Sequence, residues 1–301
     1  MNEHIIFGLW PIAGITTVGV SKADAEATMA AALAAGITQF DTAYSYGYDG
    51  QCDRLLGKFV VGDRDRYRII GKVGQRWLPN KTRINDGSAT TLARDAEESL
   101  RRSGIEYFDT LMLHAPDPDV PIEESATALE TLKSRGICKR IGVCNVNVEQ
   151  FLAFSETVEC SALQCPLNLM QQDSLHDLIP ICAPRDCDVF AFWALMKGLL
   201  AGKIRRDHVF DPDDVRPNYP VFQGKIREQT HLLLDQLRVI ADEIGKTIAQ
   251  LTVGWVISQP GVTAVLVGAH RPDQIQETAQ ARPLEPEIVE RIDAIRSSLA
   301  N

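Results

Sequence analysis

The sequence predicts an α/β protein that forms a single (β/α)8 TIM barrel domain over residues 1–301. Short apolar runs alternate with helical patterns eight times, and no linker interrupts them. The chain has 301 residues, 45% of them hydrophobic, which suits one barrel of roughly 250 residues with decorations. A doubly wound open sheet is the main competitor, and the sequence lacks the G-x-G-x-x-G turn typical of it.

The predicted strands have nearly continuous apolar character, as expected for parallel strands that are buried on both faces. We predict them at residues 5–10, 37–41, 68–72, 108–114, 140–144, 161–165, 188–193 and 264–268. Residues 198–224 are rich in Asp, Arg and Pro, and we interpret them as a long functional loop after the seventh strand.

Helical patterns fill the intervals between these strands. Ser21 and Asp24 have the spacing of a capping box, which opens an alanine-rich helix ending at Gly36. Apolar residues at helical spacing predict a further helix that stops at Gly136. Two more helical patterns cover 225–244 and 247–258. An extra C-terminal helix beyond the eighth strand carries the stripe Leu284, Ile288, Ile292, Ile295 and Leu299.

Composition excludes several classes of function. The formal net charge of −9 argues against a nucleic-acid-binding surface. The N-terminus shows no signal-like region, and the apolar run 189–196 is far shorter than the roughly 20 residues that span a bilayer. We therefore expect a soluble, cytoplasmic protein without nucleic-acid or membrane partners.

The seven cysteines form an odd set without a framework pattern, which favours free thiols in a reducing cytosol. Cys182 and Cys187, with His176 upstream, do not have the C-x-x-C spacing of zinc sites. We therefore predict no metal site.

Four polar residues stand at or just past the ends of three successive predicted strands: Asp41, Tyr46, Lys72 and His114. Parallel strands of a barrel share their C-terminal edge, so these side chains are expected in one mouth. An ammonium group beside a phenol would lower its pKa from about 10, and a carboxylate would keep that ammonium charged. Asp41, Lys72 and Tyr46 could thus form a proton relay, with His114 donating to a carbonyl oxygen.

Each of these residues also has an ordinary structural explanation. Asp41 could be a turn former, Lys72 and Tyr46 surface residues, and His114 a hydrogen-bonded histidine at a strand end. The four residues taken together favour a functional site, because four matched residue types occur in order at consecutive strand ends.

With these residues the chain resembles the aldo-keto reductases. The family pattern of Asp-Thr-Ala followed by a catalytic Tyr-Gly is matched by Asp41-Thr42-Ala43 and Tyr46-Gly47, and Lys72 and His114 match in context. The resemblance covers nearly the whole chain. It implies a (β/α)8 barrel, a nicotinamide cofactor, and hydride transfer between that cofactor and an aldehyde, ketone, sugar or alcohol.

The resemblance also assigns cofactor contacts in the second half. Asn145 and Gln164 match residues that hold the nicotinamide carboxamide, with Cys144 in place of a serine that is a stronger donor. Phe192 takes the place of a stacking tyrosine and keeps the aromatic face. The alternative is that Phe192 and Trp193 belong to the barrel core. The other cofactor contacts implied by the family are Leu195, Gly198, Gly268, His270, Arg271, Gln274, Glu277 and Thr278.

Cofactor choice depends on the segment that begins at Gly268. Gln274 stands where many relatives have an arginine against the 2′-phosphate, and Arg271, helped by His270, could replace that arginine. The resemblance therefore favours NADP, with NAD as the alternative.

Aromatic residues at Trp10, Tyr48, Trp77 and Trp193 are expected to line the pocket for a small-molecule carbonyl or alcohol substrate. Two rival functions stay open at this stage. Lys72 could form a Schiff base in a lyase, or the protein could be a slow-turnover regulatory subunit of the same fold. The sequence leaves the physiological substrate, the reaction direction and the oligomeric state undetermined.

Overall fold

The computed structural model describes residues 2–300 and closes eight parallel strands into a barrel. Within these residues the strands are β1 (Ile5–Gly8), β2 (Gln39–Asp41), β3 (Arg68–Val73), β4 (Gln75–Trp77), β5 (Arg83–Asn85), β6 (Phe108–Leu113), β7 (Cys138–Cys144), β8 (Ala162–Pro166), β9 (Asp188–Phe192) and β10 (Ala264–Gly268). Around the barrel the order is β1-β2-β3-β6-β7-β8-β9-β10, and β10 pairs back with β1. The predicted (β/α)8 architecture is confirmed.

Helices alternate with the strands and cover the barrel. They are α1 (Lys22–Ala34), α2 (Gln51–Val60), α3 (Ala89–Ser103), α4 (Ile122–Ser134), α5 (Val148–Thr157), α6 (Asp173–His176), α7 (Gly224–Glu243), α8 (Ile248–Ile257), α9 (Pro272–Thr278) and α10 (Pro286–Ala300). The predicted capping box is present, since Ser21 accepts from the Asp24 amide while the Asp24 carboxylate accepts from the Ser21 amide. Within residues 2–300, every helix is too short or too polar to cross a membrane.

The predicted strand positions hold, with shifts of one or two residues at their ends. The first strand stops at Gly8 rather than residue 10, because a 3-10 helix begins at Trp10 and has Pro11 in its first turn. The last predicted strand, 264–268, is reproduced without change.

A short antiparallel hairpin, formed by β4 and β5, was not predicted. Each of its strands has only three residues, too few for an alternating pattern to be recognised. The hairpin directly follows β3, and the Asn85 side-chain amide fixes it by donating to the Pro116 carbonyl at 2.9 Å. It brings Trp77 and Arg83 to the rim of the barrel.

The barrel interior has its own apolar layer, separate from the main core between strands and helices. Its members are Ile6, Ile70, Met112, Ala162, Phe190 and Ala264. Side chains alternate along a strand, so the residue two positions further on faces the interior as well. This spacing places Lys72, His114, Gln164 and Phe192 directly above the layer, at the carboxyl ends of the strands. Side-chain alternation therefore brings four of the predicted residues to the mouth of the barrel.

The segment after β9 carries short 3-10 helices at Met196–Ala201, Arg216–Asn218 and Pro220–Phe222. Phe210 packs against other residues of this segment: the Phe210 ring lies 4.6 Å from the His208 ring and 5.5 Å from the Phe222 ring. The predicted long loop is thus a packed segment that folds back on itself.

Candidate active site

One buried carboxylate, that of Asp41, joins three of the predicted residues. The Tyr46 hydroxyl donates to its Oδ1 at 3.3 Å, and the Lys72 ammonium donates to the same oxygen. The Gln164 amide nitrogen donates to Oδ2 at 2.7 Å. Asp41 is fully buried and the Lys72 side chain is 1% exposed, so the pair is a buried ion pair with its lone pairs satisfied. Side chains from β2, β3 and β8 therefore meet at one point.

The Tyr46 phenol holds its proton at neutral pH. Burial, followed by the Asp41 carboxylate, raises the pKa of Tyr46 well above its ordinary value of 10.0. The expected direction, a pKa lowered by Lys72, is therefore wrong for this state. The Lys72 nitrogen lies 4.7 Å from the centre of the tyrosine ring, but it donates to Asp41, whose negative charge offsets it.

His114 is a neutral imidazole directly beside this cluster. It follows β6 at once, and its backbone amide donates to the Val73 carbonyl at 2.9 Å. Burial, helped by the charges of Lys72 and Arg83, lowers the pKa of His114 well below 6.5. Its ring stands 5.8 Å from the Tyr46 ring in an edge-to-face arrangement. A neutral imidazole carries one N–H donor, which can serve an oxygen placed between His114 and Tyr46.

Ser45 was missed by the sequence reasoning. Its hydroxyl lies 3.4 Å from Nδ1 of His114, where it can fix which ring nitrogen carries the proton. The only available signal was its position inside the polar segment that precedes Tyr46.

Three predicted cofactor residues extend this network into the second half of the barrel. Asn145 has a left-handed φ of 57°, and its amide nitrogen donates to the His114 carbonyl at 2.9 Å and to the Cys144 sulfur at 3.1 Å. The Cys144 thiol in turn lies 3.8 Å from Oε1 of Gln164. Burial raises the pKa of Cys144 to about 12, so it is a neutral thiol.

The chain leaves β9 through several left-handed residues. Phe192 ends the strand and pairs with Pro166 of β8. Leu195 then leads into the 3-10 helix Met196–Ala201. Positive φ angles occur at Trp193 (65°), Met196 (49°), Lys197 (54°) and Gly198 (92°). Such conformations are costly for residues other than glycine and concentrate at functional sites.

The start of α9 gathers the residues expected at the adenosine end of a cofactor, after Gly268 ends β10. The Arg271 guanidinium is half exposed and pairs with Asp273 at 3.2 Å, with one nitrogen 3.4 Å from the His270 ring. The Gln274 side chain accepts from the His270 amide at 3.0 Å. Gln274 therefore caps the backbone, while Arg271 presents the positive charge.

Glu277 and Thr278 are both engaged within the protein. The Glu277 carboxylate forms an ion pair with Lys203, which bridges α9 to the segment after β9. The Thr278 hydroxyl donates to the Gln274 carbonyl at 3.0 Å, and the residue is 3% exposed.

The predicted aromatic residues separate into two groups. Trp10 packs on Tyr46 at 5.3 Å, Tyr48 packs on Trp77 at 5.0 Å, and the Arg83 guanidinium lies 5.6 Å from both tryptophan rings. These residues form one wall. Trp193 instead packs on Tyr219 at 6.3 Å, at the segment after β9. Arg83 and Tyr219 were not predicted.

Lys72 is poorly placed for a Schiff base. A carbonyl substrate would have to reach an amine whose side chain is 1% exposed and whose nitrogen donates to Asp41. All seven cysteines are buried free thiols. In the described part of the chain no cluster of His, Cys, Asp or Glu is arranged to hold a metal ion.

A closed parallel barrel whose polar groups converge at the carboxyl ends of its strands has the architecture of a barrel enzyme. Residues 4–297 match the model of the Aldo/keto reductase family. The chain is 31% identical over 281 residues to the aldo-keto reductase YhdN of Bacillus subtilis (strain 168), covering 92% of this chain and 84% of that protein. The chain belongs to the aldo/keto reductase family, whose members are oxidoreductases acting on carbonyls with NAD(P).

Solved structures agree with this assignment. A glycerol dehydrogenase from Gluconobacter oxydans superimposes with a TM-score of 0.89 at 31% identity, covering 98% of this chain and 91% of that one. An aldo/keto reductase from Klebsiella pneumoniae, solved in complex with NADP and acetate, gives a TM-score of 0.72 at 27% identity. It covers 97% of this chain and 91% of that chain.

Proposed function

We propose that this protein transfers hydride between NADP(H) and a small-molecule carbonyl or alcohol, with Tyr46 as the group that gives or takes the proton. The observation that carries the proposal is the Tyr46 hydroxyl itself. It is protonated, bonded to a buried carboxylate, and adjacent to a neutral imidazole at the carboxyl ends of the strands.

In the reducing direction, the nicotinamide supplies the hydride to the carbonyl carbon when it is bound. Tyr46 donates its proton to the carbonyl oxygen as negative charge develops there. An alkoxide is far more basic than a phenolate, so the raised pKa of Tyr46 does not prevent this transfer. The His114 N–H donates to the same oxygen and stabilises its charge in a site that excludes water.

Lys72 and Asp41 act after the proton has left. The phenolate of Tyr46 is then negatively charged, and the Lys72 ammonium 4.7 Å from the ring centre stabilises it in a medium of low dielectric constant. Asp41 holds Lys72 in place through its Oδ1. In alcohol oxidation the same groups work in reverse, and the phenolate accepts the proton.

The residues present fit a nicotinamide cofactor. The amides of Asn145 and Gln164 lie within one hydrogen bond of His114 and Asp41, which suits recognition of a carboxamide next to the reacting carbon. Phe192, directly above the interior apolar layer, offers an aromatic face.

Arg271 supports NADP over NAD. Its guanidinium is half exposed and sits at the start of α9, where an anion would displace Asp273 as its partner. The Klebsiella pneumoniae relative, solved with NADP, supports the same choice. Glu277 and Thr278 remain predictions for the adenosine contacts, as do His270 and Gln274.

We infer that Trp10, Tyr48 and Trp77, with Arg83, form the wall that receives the substrate. Tryptophan and tyrosine faces suit the C–H faces of a polyol or sugar as well as an aryl ring. Because the fold is closely similar to that of a glycerol dehydrogenase, a substrate panel should start with glycerol and its carbonyl counterparts.

Tyr46→Phe provides the decisive test. Proton transfer by a positioned side chain contributes roughly 10²–10⁴-fold, and the variant should lose turnover in that range. NADPH affinity, measured by tryptophan fluorescence, should stay unchanged. The matched control is Tyr67→Phe, which removes the hydroxyl of another buried tyrosine, one whose ring packs on Phe40 away from the mouth. Near-normal turnover in Tyr46→Phe, or an equal loss in both variants, would remove Tyr46 from the mechanism.

The same assays separate the two rival functions. A regulatory subunit would show only slow turnover across the whole panel of carbonyls, sugars and alcohols. A lyase would form an adduct with its carbonyl substrate on Lys72 that borohydride traps and mass spectrometry detects.

A further inference from the structure

Three buried thiols cluster at the end of the barrel opposite the mouth. Cys160 lies shortly before β8, Cys187 directly precedes β9, and Cys182 follows the 3-10 helix Ile179–Ile181. The Cys187 side chain lies near enough to those of Cys160 and Cys182 to interact with both. Each of the three thiols donates to a backbone carbonyl, that of Ala162 for Cys160, Leu178 for Cys182 and Asp188 for Cys187. None of the three residues contributes to the site proposed above, and each is less than 8% exposed.

Backbone geometry brings Cys182 and Cys187 together. The Cys187 amide donates to the Cys182 carbonyl at 3.3 Å, and the turn is completed by Asp186 with a left-handed φ of 52°. A carbonyl oxygen and an amide nitrogen each lie within roughly 2.5 Å of their own Cα. The two Cα atoms therefore lie within about 8 Å of each other, and a small closing movement of the turn would reach the separation of about 4.4–6.8 Å that a disulfide requires. Closing the bond would turn the two sulfurs away from the Leu178 and Asp188 carbonyls, to which they donate at 3.3 and 3.8 Å.

We propose that Cys182 and Cys187 form a reversible disulfide, which makes the turn at residues 182–187 a thiol-oxidation site. The oxidant is a low-molecular-mass disulfide. The Cys182 thiolate attacks one of its sulfurs and releases one small thiol. Cys187 then gives up its proton, attacks the mixed disulfide at the Cys182 sulfur and releases the second thiol. Two protein thiols are oxidised and one small disulfide is reduced to two thiols.

Charge supports Cys182 as the attacking group. The hydrogen bond from Cys187, with help from the Arg185 guanidinium, lowers the pKa of Cys182 below its ordinary value. Cys182 itself is buried, but residues 183–186 of the adjoining turn are all exposed. A local opening of this surface turn, without unfolding of the barrel, would admit a small disulfide.

Mass spectrometry of the full-length protein tests the proposal. After incubation with oxidised glutathione, remaining thiols are alkylated and the protein is digested with trypsin. Cleavage after Arg140, Arg185 and Lys197 puts the two cysteines in separate peptides, 141–185 and 186–197. We expect these peptides to appear joined, with two hydrogens lost, and to separate on reduction with dithiothreitol. Fragmentation of the joined peptides should place the bond at Cys182, a readout that needs no variant.

Variants supply the controls. The joined peptides should disappear in Cys182→Ser and persist in Cys160→Ser. They should also persist in Cys138→Ser, which removes a buried thiol that lies outside the cluster. Persistence in Cys182→Ser with loss in Cys160→Ser would assign the bond to Cys160 and overturn the proposal. A glutathione adduct without joined peptides, or no modification at all, would overturn it too.

Discussion

The two halves of the barrel mouth are built differently. In the first half, Asp41, Tyr46 and Lys72 are buried and share one carboxylate oxygen. In the second half, the corresponding charges form ion pairs near the surface, Lys203 with Glu277 and Arg271 with Asp273. The side chains of Lys203 and Arg271 are each about half exposed, at 53% and 52%.

This difference fits the two tasks proposed for the site, proton transfer in the first half and cofactor binding in the second. Charges buried together cannot rearrange cheaply, so the first half presents a fixed set of proton-handling groups. Surface ion pairs contribute little to stability, typically ~0–1 kcal/mol, and can exchange partners at small cost. The second half is thus suited to admit and release a large anionic ligand, while the first half keeps its geometry.

The largest effect is expected from Lys72→Met. Removal of the ammonium leaves the Asp41 carboxylate buried with only Tyr46 and Gln164 as donors. Breaking a buried pair in this way costs about 3–5 kcal/mol, which thermal or denaturant unfolding should reveal. Turnover should also be lost, because nothing stabilises the Tyr46 phenolate.

A double variant distinguishes these two consequences. Lys72→Met combined with Asp41→Asn removes both charges, so most of the stability should return while turnover stays low. A single Lys72→Met variant that is as stable as the wild type would contradict the view that the first half is a tightly coupled buried unit.

A smaller effect is expected at Arg271. Arg271→Ala should weaken NADPH binding roughly ten- to hundredfold, because a charge-assisted hydrogen bond to the 2′-phosphate is worth about 1.5–3 kcal/mol. NADH lacks that phosphate and should be nearly unaffected. Titration of both cofactors by tryptophan fluorescence gives the comparison.

Asp273→Asn is the matched variant for the same titration. It frees Arg271 from its ion pair, so NADPH should bind more tightly than to the wild type, again with little change for NADH. If both cofactors respond equally to Arg271→Ala, Arg271 does not select the cofactor, and NAD becomes the better assignment.

The smallest effect is expected for Asp53, a buried residue that lies below the first half of the mouth. Its carboxylate accepts hydrogen bonds from Thr42, at 3.0 Å, and Ser99, at 2.8 Å. Burial raises the pKa of Asp53 from its ordinary 3.8 to about 7. A raised pKa means that the folded state favours the protonated acid, so this stability is fully present below pH 3.8 and is lost as the pH rises through about 7.

Between pH 5.5 and 8 the contribution of Asp53 to the free energy of unfolding should fall by about 2 kcal/mol. Asp53→Asn, a neutral side chain of the same shape, should weaken this pH dependence of unfolding. Part of this pH dependence should remain in the variant, because burial also raises the pKa of Asp95 to about 7. If the free energy of unfolding of Asp53→Asn changed with pH as much as that of the wild type, Asp53 would be ionised in the folded protein throughout this range.

Most of the fold could be predicted from the sequence because its signals are local. The strand over 264–268 follows from a continuous apolar run, and the helix after Ser21 from a capping box. The hairpin of β4 and β5 could not be predicted in this way. Its strands are three residues long, and its position depends on tertiary hydrogen bonds such as that from Asn85 to Pro116.

In the candidate site, too, some features follow from local sequence signals and others depend on tertiary contacts. The positions of Asp41, Lys72 and His114 follow from strand ends that share one edge. The direction of the Tyr46 pKa shift does not, because it depends on which oxygen Lys72 contacts and on burial of the phenol. The bond from Gln164 to Asp41 joins residues 123 positions apart, and no local pattern reports it.

The register of the parallel strands limits where residues can be deleted from or inserted into this protein. In the barrel Lys72 lies opposite Met112, and Asp41 lies opposite Ile70. Deleting one residue of β3 before Lys72 would turn the ammonium outward to the helices and bring Val73 into the mouth, because side chains alternate. Loop residues carry no such constraint. The tip of the hairpin at 78–82 is therefore the place to insert a tag or a second domain without displacing the reacting groups.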